Sequence, residues 1–245
     1  AVDWAYRFEP YAVDAIESIF GRLGVAAGTE LFDMACGSGF AAARAERLGA
    51  TVAGLDASAD LIDIARRRTV DADLRVGDMF ALPWGDDSFD AVTSFNGVWG
   101  GCTDALVEAR RVIRDGGRIG LTFWGPGRAL DLRDWFIAVG TATPSIGTEM
   151  IGLAQIGTPG VVEEMLHDAG FASIERYGTP SIIESPDAEA LLRTMRSPGL
   201  VEPAIAASGL DDFDRLTLDA LAHCRADDGS YRLVNELTCV VATAT

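Results

Sequence analysis

Three carboxylates, Asp33, Asp56 and Asp78, each stand at the end of a short apolar run: ELFD, TVAGLD and DLRVGD. After the first comes LFDMACGSGF (31–40), where a strand gives way to a turn carrying Gly37 and Gly39, and then to a helix starting near Ala41. Glycines let a backbone bend tightly and approach a ligand with no Cβ in the way. The helix N-terminus behind them offers free N–H groups and a positive dipole end. Singly, each acid is explained by capping a helix or turn. Three in order, closing successive strands, lie where the ligand crevice of an open α/β sheet opens.

The glycine turn alone leaves the ligand open between NAD, FAD and S-adenosylmethionine. Gly37-x-Gly39-x-x-Ala42 matches the relaxed dinucleotide fingerprint, and Asp56 stands where a ribose-binding acid belongs. Asp33 argues against a dinucleotide, because its charge at the strand end would repel a pyrophosphate. It suits a ligand carrying an ammonium and a sulfonium. All 20 basic residues are Arg and none is Lys. Schiff-base chemistry, the Lys of phosphate-binding NTPase loops and Tyr-x-x-x-Lys proton relays are thereby excluded. The net charge of −17 disfavours nucleic acid and anionic membranes. No apolar run approaches the ~18–20 residues of a membrane span. The four cysteines, Cys36, Cys102, Cys224 and Cys239, are widely separated, and there are only two His. Reduced thiols, a cytoplasmic location and no metal are expected. The chain opens AVDWAYRFEP, without an initiator Met and without signal-peptide character.

The elements that must position these residues alternate along the chain. Strands are expected at 30–32, 51–55, 73–76, 89–94 and 118–124. Ser58 caps a helix carrying Leu61, Ile62 and Ala65; Thr103 caps one through Ile113 that stops at Asp115-Gly116-Gly117. Thr158-Pro159 opens a helix ending at Gly170. A strand at 173–183, helices from Ser185-Pro186 to Arg196 and over 211–224, and a strand at 231–244 follow. Strands separated by helices imply right-handed crossovers and a mostly parallel sheet. The terminal strand belongs at or near its edge. One domain is expected over 1–245, with a core of about 28–183 plus 231–244. Cap elements are expected at about 1–24, 125–157 and 185–230.

LFDMACGSGF, VAGLDAS (52–58), VGDMFALPWGDDSFDAV (76–92) and EARRVIRDGGRIGLTFW (108–124) together resemble a class I S-adenosylmethionine-dependent methyltransferase of the ubiquinone/menaquinone-biosynthesis type. The resemblance implies a Rossmann-like α/β/α sandwich with a seven-stranded, mostly parallel sheet, an antiparallel C-terminal strand and a helical cap. It implies a small-molecule acceptor, S-adenosylhomocysteine as product, and a monomer or homodimer. On it, Ala35, Cys36, Gly37 and Gly39 run beneath the methionine part, with Asp33 near its amino group. Asp56 accepts the ribose hydroxyls, Ala57 lies against the adenine, and Asp78 accepts the adenine amino group beside Met79 and Phe80. Ser94, Phe95 and Asn96 sit near the transferred methyl. The run SFNGVWG replaces the aromatic or His pair that often follows this strand.

No unambiguous general base emerges. Asn96 and His223 are the weak catalytic candidates, and His223 shares a helical face with Phe213, Leu216 and Ala220, as a core His would. Cys36 reads as a packing residue rather than a nucleophile, and His167 as solvated. Trp4, Tyr6, Tyr11, Trp99 and Trp124 are candidates for the acceptor wall. A Rossmann oxidoreductase and a non-catalytic S-adenosylmethionine-binding protein are the competing readings.

Overall fold

The computed structural model describes residues 1–143 and 155–245. Seven strands form one sheet: β1 (Glu30–Met34), β2 (Thr51–Asp56), β3 (Asp73–Val76), β4 (Phe89–Phe95), β5 (Ile113–Trp124), β6 (Phe171–Ser185) and β7 (Tyr231–Ala244). Their order is β3-β2-β1-β4-β5-β7-β6. The first five pair in parallel, and β7 is antiparallel to both β5 and β6. The chain builds outward from β1 to β3, then returns to build the other way from β4. The crevice of such a sheet opens at this switch, above the C-terminal ends of β1 and β4.

Alternation along the strands sends neighbouring side chains to opposite faces. Leu31, Val52, Ala91 and Val241 enter one core, together with Ala15, Ile16, Ile19 and Phe20 of α1 (Val13–Leu23) and Ala42 and Ala45 of α2 (Ala42–Arg47). Phe32, Ala53, Val92 and Val240 enter the other, beneath α4 (Thr103–Val112) and α6 (Val161–Asp168). Between β2 and β3 lies α3 (Ala59–Arg68), whose cap is the one expected: the Ser58 hydroxyl accepts the Leu61 N–H at 3.3 Å. The cap contains α5 (Arg133–Ala142), α7 (Ala188–Met195), α8 (Glu202–Ser208) and α9 (Leu210–Ala220). Part of the expected 125–157 cap element, residues 144–154, lies outside the described residues.

Several boundaries differ from expectation. The Thr103 helix ends at Val112, and Ile113 is already extended. Asp115-Gly116-Gly117 is not a helix cap; it sits in a bulge of β5, where the register against β4 jumps from Phe89↔Ile113 to Ala91↔Arg118. The expected Thr158-Pro159 start moves to Gly160, whose N–H donates to Glu163 Oε2 at 2.9 Å. Ser185-Pro186 yields to Asp187, which caps α7 by accepting the Ala190 N–H at 2.8 Å. The terminal strand is near the sheet edge, as expected: β7 lies one strand in, covered by β6. α1 packs on the sheet so closely that a Cβ on Gly120 of β5 would meet Ile19 at 2.4 Å.

Candidate active site

Asp33 is the penultimate residue of β1 and is 1% exposed, accepting the Thr93 hydroxyl at 2.8 Å. Burial pushes its carboxyl up to about 7, and the nearby charges of Glu9 and Asp56 add to the shift. The strand then turns through Ala35, whose φ of 56° is left-handed. A non-glycine residue there stores strain of about 1 kcal/mol or more. Asn96, at the end of the adjacent β4, has φ 57°. Asn tolerates this conformation better than most residues. The two turns pack tightly: a Cβ on Gly97 would lie 2.4 Å from Ala35 Cβ and 2.7 Å from Ser94 Oγ.

Asp56 ties the glycine turn to the second strand. Its Oδ2 accepts the Gly37 N–H and its Oδ1 the Ser58 N–H, each at 2.9 Å. Each oxygen keeps a further lone pair for a ligand hydroxyl. Gly39 has φ 73°, and a Cβ there would meet Ala65 of α3 at 2.8 Å. This glycine is therefore required by helix packing as well as by any ligand. Asp78 is exposed and accepts the Phe80 N–H at 3.0 Å, with Met79 buried in the core below and Phe80 41% exposed. Ala57 is exposed. Cys36 is buried, and burial with the nearby acids drives its thiol well above its usual range. It is unsuited to nucleophilic attack.

A second layer lies over the glycine turn. A π-helical turn, Trp4–Phe8, and a 3-10 turn, Glu9–Ala12, cross above it. Glu9 accepts the Ser38 N–H at 3.1 Å, bonds the Ser38 hydroxyl, and pairs with Arg68 at 2.8 Å. Arg68 also donates to the Ala5 carbonyl. Burial outweighs this pairing and raises the Glu9 carboxyl. Removing one partner of such a buried pair costs about 3–5 kcal/mol. Residues 9 and 68 share no local pattern that a sequence reading detects.

Beside this layer is a small apolar cavity of about 80 Å³, lined by Trp4, Phe8, Tyr11, Trp124, Trp135 and Phe136 and also by Asn96. Tyr11 stacks on Trp124 at 4.9 Å between ring centroids, and Trp4 on Phe8 at 5.0 Å. Trp4, Phe8 and Tyr11 follow helical spacing, a signal that was present in the sequence. Burial, reinforced by Glu9, holds the Tyr11 phenol above its usual range, so it stays neutral. Thr122 Oγ1 donates to Asn96 Oδ1 at 2.6 Å, which leaves the Asn96 amide nitrogen as a donor. A wider crevice runs past Ser58, Asp60 and Leu61 to Trp4 and Pro198, both of which also line the cavity.

The structure does not bring every candidate here. Tyr6 is 62% exposed beneath the Arg68 guanidinium, and Trp99 is 42% exposed; neither lines the cavity. Phe95 packs edge-on against Phe20 of α1. His223 is not a core residue: α9 ends at Ala220 and His223 follows on a 3-10 turn, half-exposed and 4.0 Å from Asp131. It lies outside the cavity lining.

The residues present fit an amino-acid-bearing cation. Ser94 Oγ and Trp4 Nε1 are buried without partners, and both border the turn; Trp4 Nε1 is 3.8 Å from where a Cβ on Gly37 would stand. Unpartnered donors suit a carboxylate, and the Asp33, Glu9 and Asp56 acids suit positive charge.

The family model described as "Methyltransferase domain" matches residues 32–121. The chain is 30% identical over 240 residues to nocamycin O-methyltransferase of Saccharothrix syringae, covering 84% of each. It is 34% identical over 115 residues to demethylmenaquinone methyltransferase of Renibacterium salmoninarum, covering 46% of each. The fold superposes on geranyl diphosphate C-methyltransferase of Streptomyces coelicolor A3(2) with a TM-score of 0.55 at 17% identity, over 94% of this chain and 78% of that one. With 84% of its length aligned at 30% identity, and the strand-end acids and glycine turn in order on this sheet, the chain belongs to the class I S-adenosylmethionine-dependent methyltransferases.

Proposed function

We propose that this enzyme holds S-adenosylmethionine over the C-terminal ends of β1–β4 and methylates an uncharged, apolar acceptor in the aromatic cavity. The observation that carries this reading is the place of Trp4, which lines the aromatic cavity and whose Nε1 stands beside the glycine turn that Asp56 holds. Bound S-adenosylmethionine supplies a methyl group already activated on a sulfonium. Asp33 neutralises the amino group of the cofactor, Ser94 and Trp4 donate to its carboxylate, Asp56 accepts its ribose hydroxyls and Asp78 its adenine amino group. Phe80 flanks the adenine, and the buried Met79 supports it from the core.

The protein's work is then alignment and exclusion of water. Phe8, Tyr11 and Trp124 wall the acceptor, and Asn96 donates to an oxygen on it. Among the described residues, none lining the cavity is poised as a base, so the acceptor is one that is nucleophilic itself or loses its proton to water. Among the described residues, no helix is long and apolar enough to cross a membrane. Action in the cytoplasm, apart from nucleic acid, by a single-domain monomer or homodimer completes the proposal. The charge of −17 supports the exclusion of polyanions.

An assay with methyl-labelled cofactor tests the acceptor class. Neutral aromatic acceptors are expected to take label, and amines or phosphates of similar size are not. Trp124→Ala is expected to raise acceptor KM about 10-fold or more, from an aromatic contact of about 1.5–3 kcal/mol, with cofactor affinity unchanged. Preference for charged acceptors would overturn the reading.

A further inference from the structure

Outside the cavity, three residues of different donor chemistry converge. Asp131, His223 and Cys224 each present one ligand atom within 4.8 Å of the others. The geometry points to a structural transition-metal site, of zinc type, formed by Asp131 Oδ1, His223 Nε2 and Cys224 Sγ. No metal was expected from the sequence, because its four cysteines are widely separated and it has only two His.

The framework around the site is already oriented. Asp131 Oδ2 accepts the Val234 N–H at 2.6 Å, leaving Oδ1 facing His223 Nε2 at 4.0 Å. Flanking residues hold the same loop to β7: Leu130 bridges Asn235, and the Leu132 N–H donates to Asn235 Oδ1 at 3.1 Å. On the other side, the Cys224 N–H bonds the Leu221 carbonyl at 3.0 Å, and Arg225 bridges Tyr231. A carboxylate whose second oxygen is fixed by a backbone N–H is the outer-shell arrangement that metal ligands use.

At 4.0 Å the His–Asp separation is too long for a hydrogen bond. It is near the spacing of two donors on one ion with bonds of about 2.0–2.3 Å. The half-exposed His223 ring is free to close the difference, while Cys224 is buried. Sulfur, imidazole and carboxylate together favour zinc over magnesium or calcium, with water in the fourth position. Binding exchanges the Cys224 proton for the metal, and the proton leaves to solvent. The site would clasp the turn before β7 to the loop entering α5, the helix that carries Trp135 and Phe136 of the cavity wall.

Chelator-treated full-length protein titrated with Co(II) tests this directly. One equivalent is expected to give a thiolate-to-cobalt charge-transfer band that one equivalent of Zn(II) abolishes. Cys224→Ser should remove the band, and Cys36→Ser, Cys102→Ser and Cys239→Ser should keep it. The exposed His223→Ala, which leaves the core intact, should weaken Zn(II) binding at least 10-fold. It should also erase a zinc-induced Tm rise of roughly 5 °C. Absence of the band in the wild type, or its survival in Cys224→Ser, would overturn the site. S-adenosylhomocysteine affinity, measured in parallel, reports on the cofactor site independently.

Discussion

Asp56→Ala is expected to weaken S-adenosylhomocysteine binding at least ~100-fold, as two hydrogen bonds to a charged acceptor are lost at about 1.5–3 kcal/mol each. The effect has two sources. On the proposed placement, both ribose hydroxyls lose their acceptor. The Gly37 and Ser58 N–H groups also lose theirs, so the glycine turn is no longer tied to the start of α3. Calorimetry measures the first effect, and a thermal melt of the ligand-free variant measures the second. If the melt shifts while affinity holds, Asp56 is a structural clamp alone. Unchanged affinity would remove it from the cofactor site.

The second large effect is a pH dependence carried by Asp33. With its carboxyl raised to about 7, chiefly by burial, this residue is mostly protonated at pH 6 and mostly ionised at pH 7.5. An ammonium bound beside it favours the ionised form. Affinity for S-adenosylhomocysteine should therefore climb about eightfold between pH 6 and 7.5, with release of a proton. This range stays below the titration of the ligand's own amino group, near 8 for an α-amine. The stability of the ligand-free protein runs the other way. The folded-state value lies above the unfolded one, so this residue's contribution is full below about pH 4 and is lost as pH rises through 7. Asp33→Asn should flatten both profiles. A binding slope that persists in Asp33→Asn belongs to another group.

Much of the sheet was legible because its signals are local. Each of β1 to β4 reads as an apolar run, and the acid near the end of β1, β2 and β3 is visible without tertiary information. The errors arose where one local signal serves two structures. Asp115-Gly116-Gly117 has the chemistry of a helix cap, but the extended conformation already begins at Ile113, so the same glycines form a bulge. His223 was placed on a core face by extending helical periodicity past Ala220, and the change to a 3-10 turn rotates it outward.

The site divides in the same way. Asp33, Gly37, Gly39 and Asp56 lie within 24 positions and are fixed by one β-α-β unit. The Glu9–Ser38–Arg68 cluster joins segments 29 and 30 residues apart, and only the path of the N-terminal turns brings them together. Trp4 and Tyr6 are chemically alike, and the turn's handedness alone sends the first to the cavity and the second to solvent.

On the proposed placement, the acids around the glycine turn select a cationic amino-acid cofactor over a pyrophosphate. Parallel calorimetric titrations of the wild-type protein with S-adenosylhomocysteine and NAD at pH 7.5 address it most directly. One S-adenosylhomocysteine per chain and no measurable heat with NAD are expected. NAD binding without S-adenosylhomocysteine binding would contradict it.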